Sequence, residues 1–125
     1  MQEEFKGLEL WRRTMLELVR KNDETDLSAR QTAVLLNVYL TPKPHTVRRL
    51  SSELNISKPA VTRAIDRLST LGFIIRKTNA KDRRSVDLSR TVKGAAYVRL
   101  LGDIIAKNSA TNDLPPLMTE TKESN

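Results

Sequence analysis

Cysteine is absent from the 125 residues. That excludes a disulfide framework and all thiol chemistry, redox sensing included. Histidine occurs once, as His45. A metal centre wants three or four spaced ligands, so no metal is expected and His45, beside Pro44, reads as a loop residue. Aromatic residues make up only 4% of the chain, which leaves no platform for stacking single-stranded bases. No apolar run approaches the roughly 18 residues of a membrane span. The first twenty residues intersperse Glu, Lys and Arg with apolar positions, unlike a secretory signal, so the expected location is cytoplasmic. A glycine-rich phosphate loop is also missing. The only dense carboxylate cluster, Asp23, Glu24 and Asp26, has no histidine or cysteine to work with and is explained by capping and solvation. The expectation is a non-enzyme without cofactor.

Positive charge is abundant. The net charge is +7, and its distribution is uneven. Residues 1–27 sum to −2 and residues 94–125 to −1, whereas residues 28–93 carry fourteen basic and four acidic side chains, net +10. Concentration in one segment points to a polyanionic partner, a solvated basic face being the alternative. The length suits a single core, so one domain is expected over residues 1–110.

Apolar periodicity places the elements. Phe5, Leu8, Trp11, Met15, Leu18 and Val19 recur at steps of three and four, a helical stripe, with Leu10 and Leu16 on a second edge. Ser28 is placed to cap a helix through Leu40, which Pro42 and Pro44 stop. Thr46 can cap a short helix with Val47, Leu50 and Leu54 inward. Asn55 then suits a left-handed terminal residue, Ile56 is an apolar plug, and Ser57 can cap a second helix with Pro59 in its first turn. In that helix Val61, Ile65, Leu68 and Leu71 form the inner stripe, Lys58, Thr62, Arg63, Asp66 and Arg67 project outward, and Gly72 closes it. A short helix, a tight turn and a longer helix with hydrogen-bonding groups outside make a helix-turn-helix, its second helix sized for the DNA major groove.

After Gly72 the period changes to two. Phe73–Lys77 and Ser85–Ser89 read as paired strands, with Val86 and Leu88 facing the core. Lys81, Asp82, Arg83 and Arg84 fall at the tip. A basic hairpin after a recognition helix is a wing, and its arginine suits the electronegative minor groove. Asp82 either holds the Arg84 guanidinium by an ion pair or simply favours the turn. From about Thr91 to Lys107 a last helix shows two apolar rows, Val92, Ala96, Leu100, Ile104 and Tyr97, Leu101, Ile105. Burying both calls for a partner subunit. Residues 111–125 read as a flexible tail.

The motifs "ISKPAVTRAIDRL", "LGFIIRK", Asp82-x-Arg84 and Thr91-x-x-Gly94 resemble the MarR (multiple antibiotic resistance regulator) family of bacterial transcription factors, over roughly residues 8–107. The resemblance implies a mainly α winged helix-turn-helix with a small β-hairpin, residues 28–90 binding DNA and residues 1–22 and 91–107 forming dimerisation helices. It implies a homodimer on a palindromic duplex site, usually a repressor, at the bacterial nucleoid. It implies that Lys58, Pro59, Thr62 and Arg63 lie in the major groove and Arg84 in the minor groove with Asp82 bracing it; Ser57, Ala60 and Arg67 of the helix and Lys81 and Arg83 of the wing tip are counted with them as DNA-binding candidates. It leaves open a small-molecule effector, and equally a winged helix used for protein contacts or for architectural DNA binding. Arg90 departs from the family's leucine and would reach phosphate or turn to solvent.

Overall fold

The computed structural model describes residues 2–21, 23 and 25–110. The elements are α1 (Gln2–Arg20), α2 (Ala29–Leu40), α3 (Val47–Leu54), α4 (Lys58–Thr70), β1 (Ile74–Thr78), β2 (Val86–Arg90) and α5 (Val92–Ala110). They divide into two compact units, one covering residues 25–99 and the other α1 with the residues from 100 onward. No described helix is long and apolar enough to cross a membrane. The tail expected at 111–125, and Asn22 and Glu24 of the expected loop, lie outside the described residues.

In the larger unit, short polar side chains set the helix boundaries. Ser28 Oγ accepts from the Gln31 N–H at 3.1 Å while Gln31 Oε1 accepts from the Ser28 N–H at 2.9 Å, a reciprocal capping box that satisfies two donors at the start of α2. Thr46 Oγ1 accepts from Arg49 N–H at 3.1 Å and Ser57 Oγ from Ala60 N–H at 3.2 Å, starting α3 and α4. Asn55 ends α3 in the left-handed region at φ 53°, which its short polar side chain tolerates, and Gly72 turns the chain out of α4 at φ 79°. These starts and stops are the ones expected.

One core fills this unit. Val34, Leu35 and Val38 of α2, Leu50 of α3, and Val61, Ala64, Ile65 and Leu68 of α4 meet Phe73, Ile74 and Leu88 of the hairpin. Each large side chain so buried contributes about 1.5–3 kcal/mol. The strands pair antiparallel with Ile74 opposite Arg90, Arg76 opposite Leu88 and Thr78 opposite Val86. Leu88 is buried as expected, but Val86 is exposed. Val86 sits at the tip end of the ladder opposite exposed Thr78, beyond the reach of the core. The chain before α3 borders β2, through a bridge between Thr46 and Asp87 and a 2.8 Å bond from Leu88 N–H to the His45 carbonyl.

The hydroxyl of Tyr39 binds three segments together. It donates to the Phe73 carbonyl at 2.6 Å, with the Thr91 carbonyl at 3.2 Å, and accepts from the Thr91 N–H at 2.9 Å. Thr91 Oγ1 donates to the Gly72 carbonyl at 2.7 Å and accepts from the Gly94 N–H at 2.8 Å, starting α5. Phe73 and Tyr97 stack beside it with ring centroids 4.6 Å apart. The threonine and glycine three residues apart thus have a physical reason. A Cβ on Gly94 would overlap both the Tyr39 hydroxyl and the Phe73 carbonyl oxygen.

The smaller unit departs from expectation. Along α1 the buried residues are Glu9 and Thr14, while Leu8, Trp11 and Val19 of the predicted stripe are 59%, 57% and 73% exposed. Glu9 is held by its own helix, its carboxylate accepting from Arg12 Nε at 2.7 Å and Nη2 at 2.9 Å and from Arg13 Nε at 2.8 Å. Thr14 Oγ1 donates to the Leu10 carbonyl at 2.8 Å. The Glu17 carboxylate accepts from Lys107 Nζ at 2.8 Å and Asn108 Nδ2 at 3.1 Å. α5 extends to Ala110, past the expected end. Leu101 and Ile104, one from each predicted row, are buried, while Ile105 and Val92 are exposed.

Two outcomes test these arrangements. Gly94→Ala should destabilise by about 3 kcal/mol, the upper end of overpacking effects, because the added methyl meets a backbone carbonyl; the denaturant midpoint measures it. The hydrogen bonds from Arg12, against the opposing effect of burial and with help from Arg13, hold the Glu9 carboxyl at about 2, down from 4.5. A depressed carboxylate stabilises the fold above its ordinary value and loses that contribution as pH falls. The far-ultraviolet helical signal should therefore decline between pH about 4.5 and about 2, and Glu9→Gln should flatten that decline.

Candidate nucleic-acid interface

The outer face of α4 is short of carboxylate and rich in donors. Ser57, Lys58, Pro59, Thr62 and Arg63 are exposed around its first two turns, and Arg67 is half-buried one turn further on. Ala60 is a correction. It was grouped with the groove-facing residues, but it is 6% exposed and lies four positions before buried Ala64, on the inner side of the helix. Asp66, the one acid on this face, pairs with Arg76 of β1, so α4 and the hairpin are joined by an ion pair.

The wing tip is shaped by two side chains acting on the main chain. Asn79 Oδ1 accepts from the N–H groups of Lys81 at 2.8 Å and Asp82 at 3.2 Å, while its Nδ2 donates to the Asp87 carboxylate at 3.2 Å. Asp82 Oδ1 accepts from the Arg84 main-chain N–H at 3.0 Å. Main-chain bonds from Asn79 N–H to Ser85 O, 3.1 Å, and Ser85 N–H to Asp82 O, 3.0 Å, close the loop. Of the two roles open to Asp82, the structure therefore shows the turn-forming one, a carboxylate two residues before the amide it accepts from. The expected ion pair to the Arg84 guanidinium is not made. Lys81, Asp82, Arg83 and Arg84 are all exposed, and the Arg83 and Arg84 guanidinium groups have no ion-pair partner among the described residues.

Arg90 stays exposed, as one of its two expected roles has it, but it does not turn freely to solvent. Its Nε donates to the Val38 carbonyl at 2.9 Å and its Nη2 to the Thr41 carbonyl at 3.4 Å, with the guanidinium 5.8 Å from the Tyr39 ring centroid. It thereby satisfies carbonyls left open at the end of α2 and complements the negative end of that helix. Arg49 likewise donates to the carbonyls of Pro42 at 3.2 Å and Pro44 at 3.0 Å and pairs with Glu53 at 2.7 Å. Sequence spacing carries no cue to these Arg49 bonds, whose carbonyl acceptors lie in the loop before α3. His45 is buried, and its Nε2 has no hydrogen-bond partner among the described residues. Burial first, then the charges of Arg90 and Arg49, push its imidazole below the ordinary 6.5. No group of three or more His, Cys, Asp or Glu that could hold a metal occurs among the described residues.

A capped two-helix turn followed by an antiparallel hairpin, all on one core, defines a winged helix-turn-helix. YusO of Bacillus subtilis shares this fold at 21% identity, with a TM-score of 0.69 over 90% of this chain and 78% of its own. The repressor CouR, solved on a 23-mer DNA duplex, shares it at 22% identity, with a TM-score of 0.66 over 94% of this chain and 75% of its own. Residues 25–85, just under half of the chain, match the MarR family model. The HTH-type transcriptional regulator YkoM of Bacillus subtilis (strain 168) is 34% identical over 80 residues. That match covers 64% of this chain, which spans about half, 51%, of the length of YkoM.

The Asp82 geometry makes a sharp prediction. Asp82→Ala should speed hydrogen exchange at the Arg84 amide with global stability changed by less than about 1 kcal/mol, since the loss is one exposed turn bond. Asp82→Asn, which keeps an acceptor oxygen but removes the charge, should leave exchange near the wild-type rate.

Proposed function

We propose that the protein is a homodimeric, sequence-specific regulator that binds double-stranded DNA and represses transcription at a palindromic site. The observation that carries this reading is the array of cations without an ion-pair partner among the described residues, Lys58 and Arg63 on α4 and Arg83 and Arg84 on the wing tip, displayed from one core in the segment of net charge +10. Lys58, Thr62 and Arg63, with Ser57 and Pro59 at the helix start, would occupy the major groove, the guanidinium of Arg63 being suited to the paired acceptors of guanine. Arg84, on a tip whose turn is fixed by Asn79 and Asp82, would enter the minor groove with less rotational freedom to lose than a cation on a loose loop. That CouR, which shares the fold, is bound to a DNA duplex supports duplex DNA as the class of ligand.

Dimerisation is supported by the exposed apolar residues of α1. Leu8, Trp11 and Val19 leave a stripe that a second copy would cover. A two-fold dimer carries two recognition helices and therefore reads a site with matching symmetry.

Log affinity for duplex DNA should fall linearly with log salt, by about 0.9 per phosphate neutralised; a protein-contact module would show no such slope. Arg84→Ala should weaken binding to most duplexes, and Arg63→Ala should cost about 1–3 kcal/mol on the preferred sequence and little on random DNA. Equal losses on both would remove Arg63 from base readout. Sedimentation of the full chain as a single subunit would remove the dimer.

A further inference from the structure

The first turn of α2 and the outer edge of α4 enclose a shallow cleft lined by Ser28, Arg30, Gln31, Ala60, Arg63 and Ala64. Small residues make it. Ala60 and Ala64, one turn apart and both buried, form a floor on which no side chain rises, so the backbone of α2 comes close to α4. Two arginines line it, Arg30 from α2 and Arg63 from α4. Neither has an ion-pair partner among the described residues, and no carboxylate lines the cleft. Like charges on one cleft with no carboxylate to offset them favour an anion there.

At the start of α2 two main-chain donors are already used, Gln31 N–H by Ser28 Oγ and Ser28 N–H by Gln31 Oε1. The charge on offer to an anion comes from the two arginine side chains.

We propose that this cleft binds a backbone phosphate of the DNA, with Arg30 as the principal ligand and Arg63 dividing its donors between that phosphate and the neighbouring base edge. The inference rests on the DNA-binding reading and extends the interface to α2, an element outside both the recognition helix and the wing. A planar guanidinium offers two parallel donors to two phosphate oxygens, which fixes the register of α4 in the groove as well as adding affinity. Phosphate contact carries no sequence information. Arg30 therefore acts on specific and random duplexes alike, unlike Arg63.

The test measures duplex binding against salt for wild type, Arg30→Ala and Arg30→Lys, all checked for an unchanged unfolding midpoint. Arg30→Ala should lower the slope of log affinity against log salt by about 0.9, equally on preferred and random DNA, and Arg30→Lys should restore most of it. Replacing backbone phosphates one at a time by uncharged methylphosphonate should find one position per half-site whose loss weakens wild type and leaves Arg30→Ala unaffected. A normal wild-type slope that Arg30→Ala leaves intact overturns the inference and spares the DNA-binding reading. A wild type without salt dependence overturns both. If inorganic phosphate, at constant ionic strength, shifts the amide spectrum of the DNA-free protein around Arg30 and competes with nothing on DNA, the cleft serves a free anion and the assignment to the backbone fails.

Discussion

A single phenol oxygen holds the larger unit in register. Tyr39 Oη joins α2 to the carbonyl that enters the wing and to the amide that leaves it, and Thr91 relays the connection to Gly72 and to the first turn of α5. Both ends of the hairpin are thereby anchored at one point, and the position of its tip relative to α4 follows from that anchor. The geometry is possible only because Gly94 has no side chain where the hydroxyl and the Phe73 carbonyl pass. The Asp66–Arg76 pair adds a second tie between α4 and the hairpin. A partly exposed ion pair is worth little alone, so it adjusts an orientation that the buried hydrogen bonds and the core already determine.

Much of the larger unit was legible because local chemistry and tertiary packing agree there. Ser28, Thr46 and Ser57 could be read as caps, Asn55 and Gly72 as left-handed stops, and Val61, Ile65 and Leu68 as an inner stripe, since each follows from bonds or spacings within a few residues. The wing was legible as a change of period. What could not be read were contacts made at long range in sequence. Arg90 reaches α2 across 52 and 49 residues, and nothing near it in sequence announces the open carbonyls of Val38 and Thr41. Asp82 was ambiguous for the opposite reason. Its carboxylate lies within reach of two donors on one residue, an amide and a guanidinium, and only the coordinates show which it takes.

The terminal unit was the least legible. Period alone marked Leu8, Trp11 and Val19 as a buried stripe, yet within one chain they face outward, and the side chains hidden instead are Glu9 and Thr14. Apolar spacing identifies a face that must be covered and is silent on whether the same chain covers it. The charge count was similarly coarse. Of the fourteen basic residues in segment 28–93, Arg49, Arg76 and Arg90 are committed to internal carbonyls or carboxylates. The positive field presented outward is narrower than the composition suggests, and it is concentrated on α4, the wing tip and the cleft beside α2.

At the wing tip, the bonds that set the shape end on main-chain amides: Asn79 holds those of Lys81 and Asp82, and Asp82 holds that of Arg84. Every residue except proline supplies such an amide, so the loop's form is indifferent to which side chains stand at 81, 83 and 84. Form and chemical content are thus separable in this loop. A lineage could exchange the groups it offers to a ligand one at a time while the scaffold beneath them stays the same.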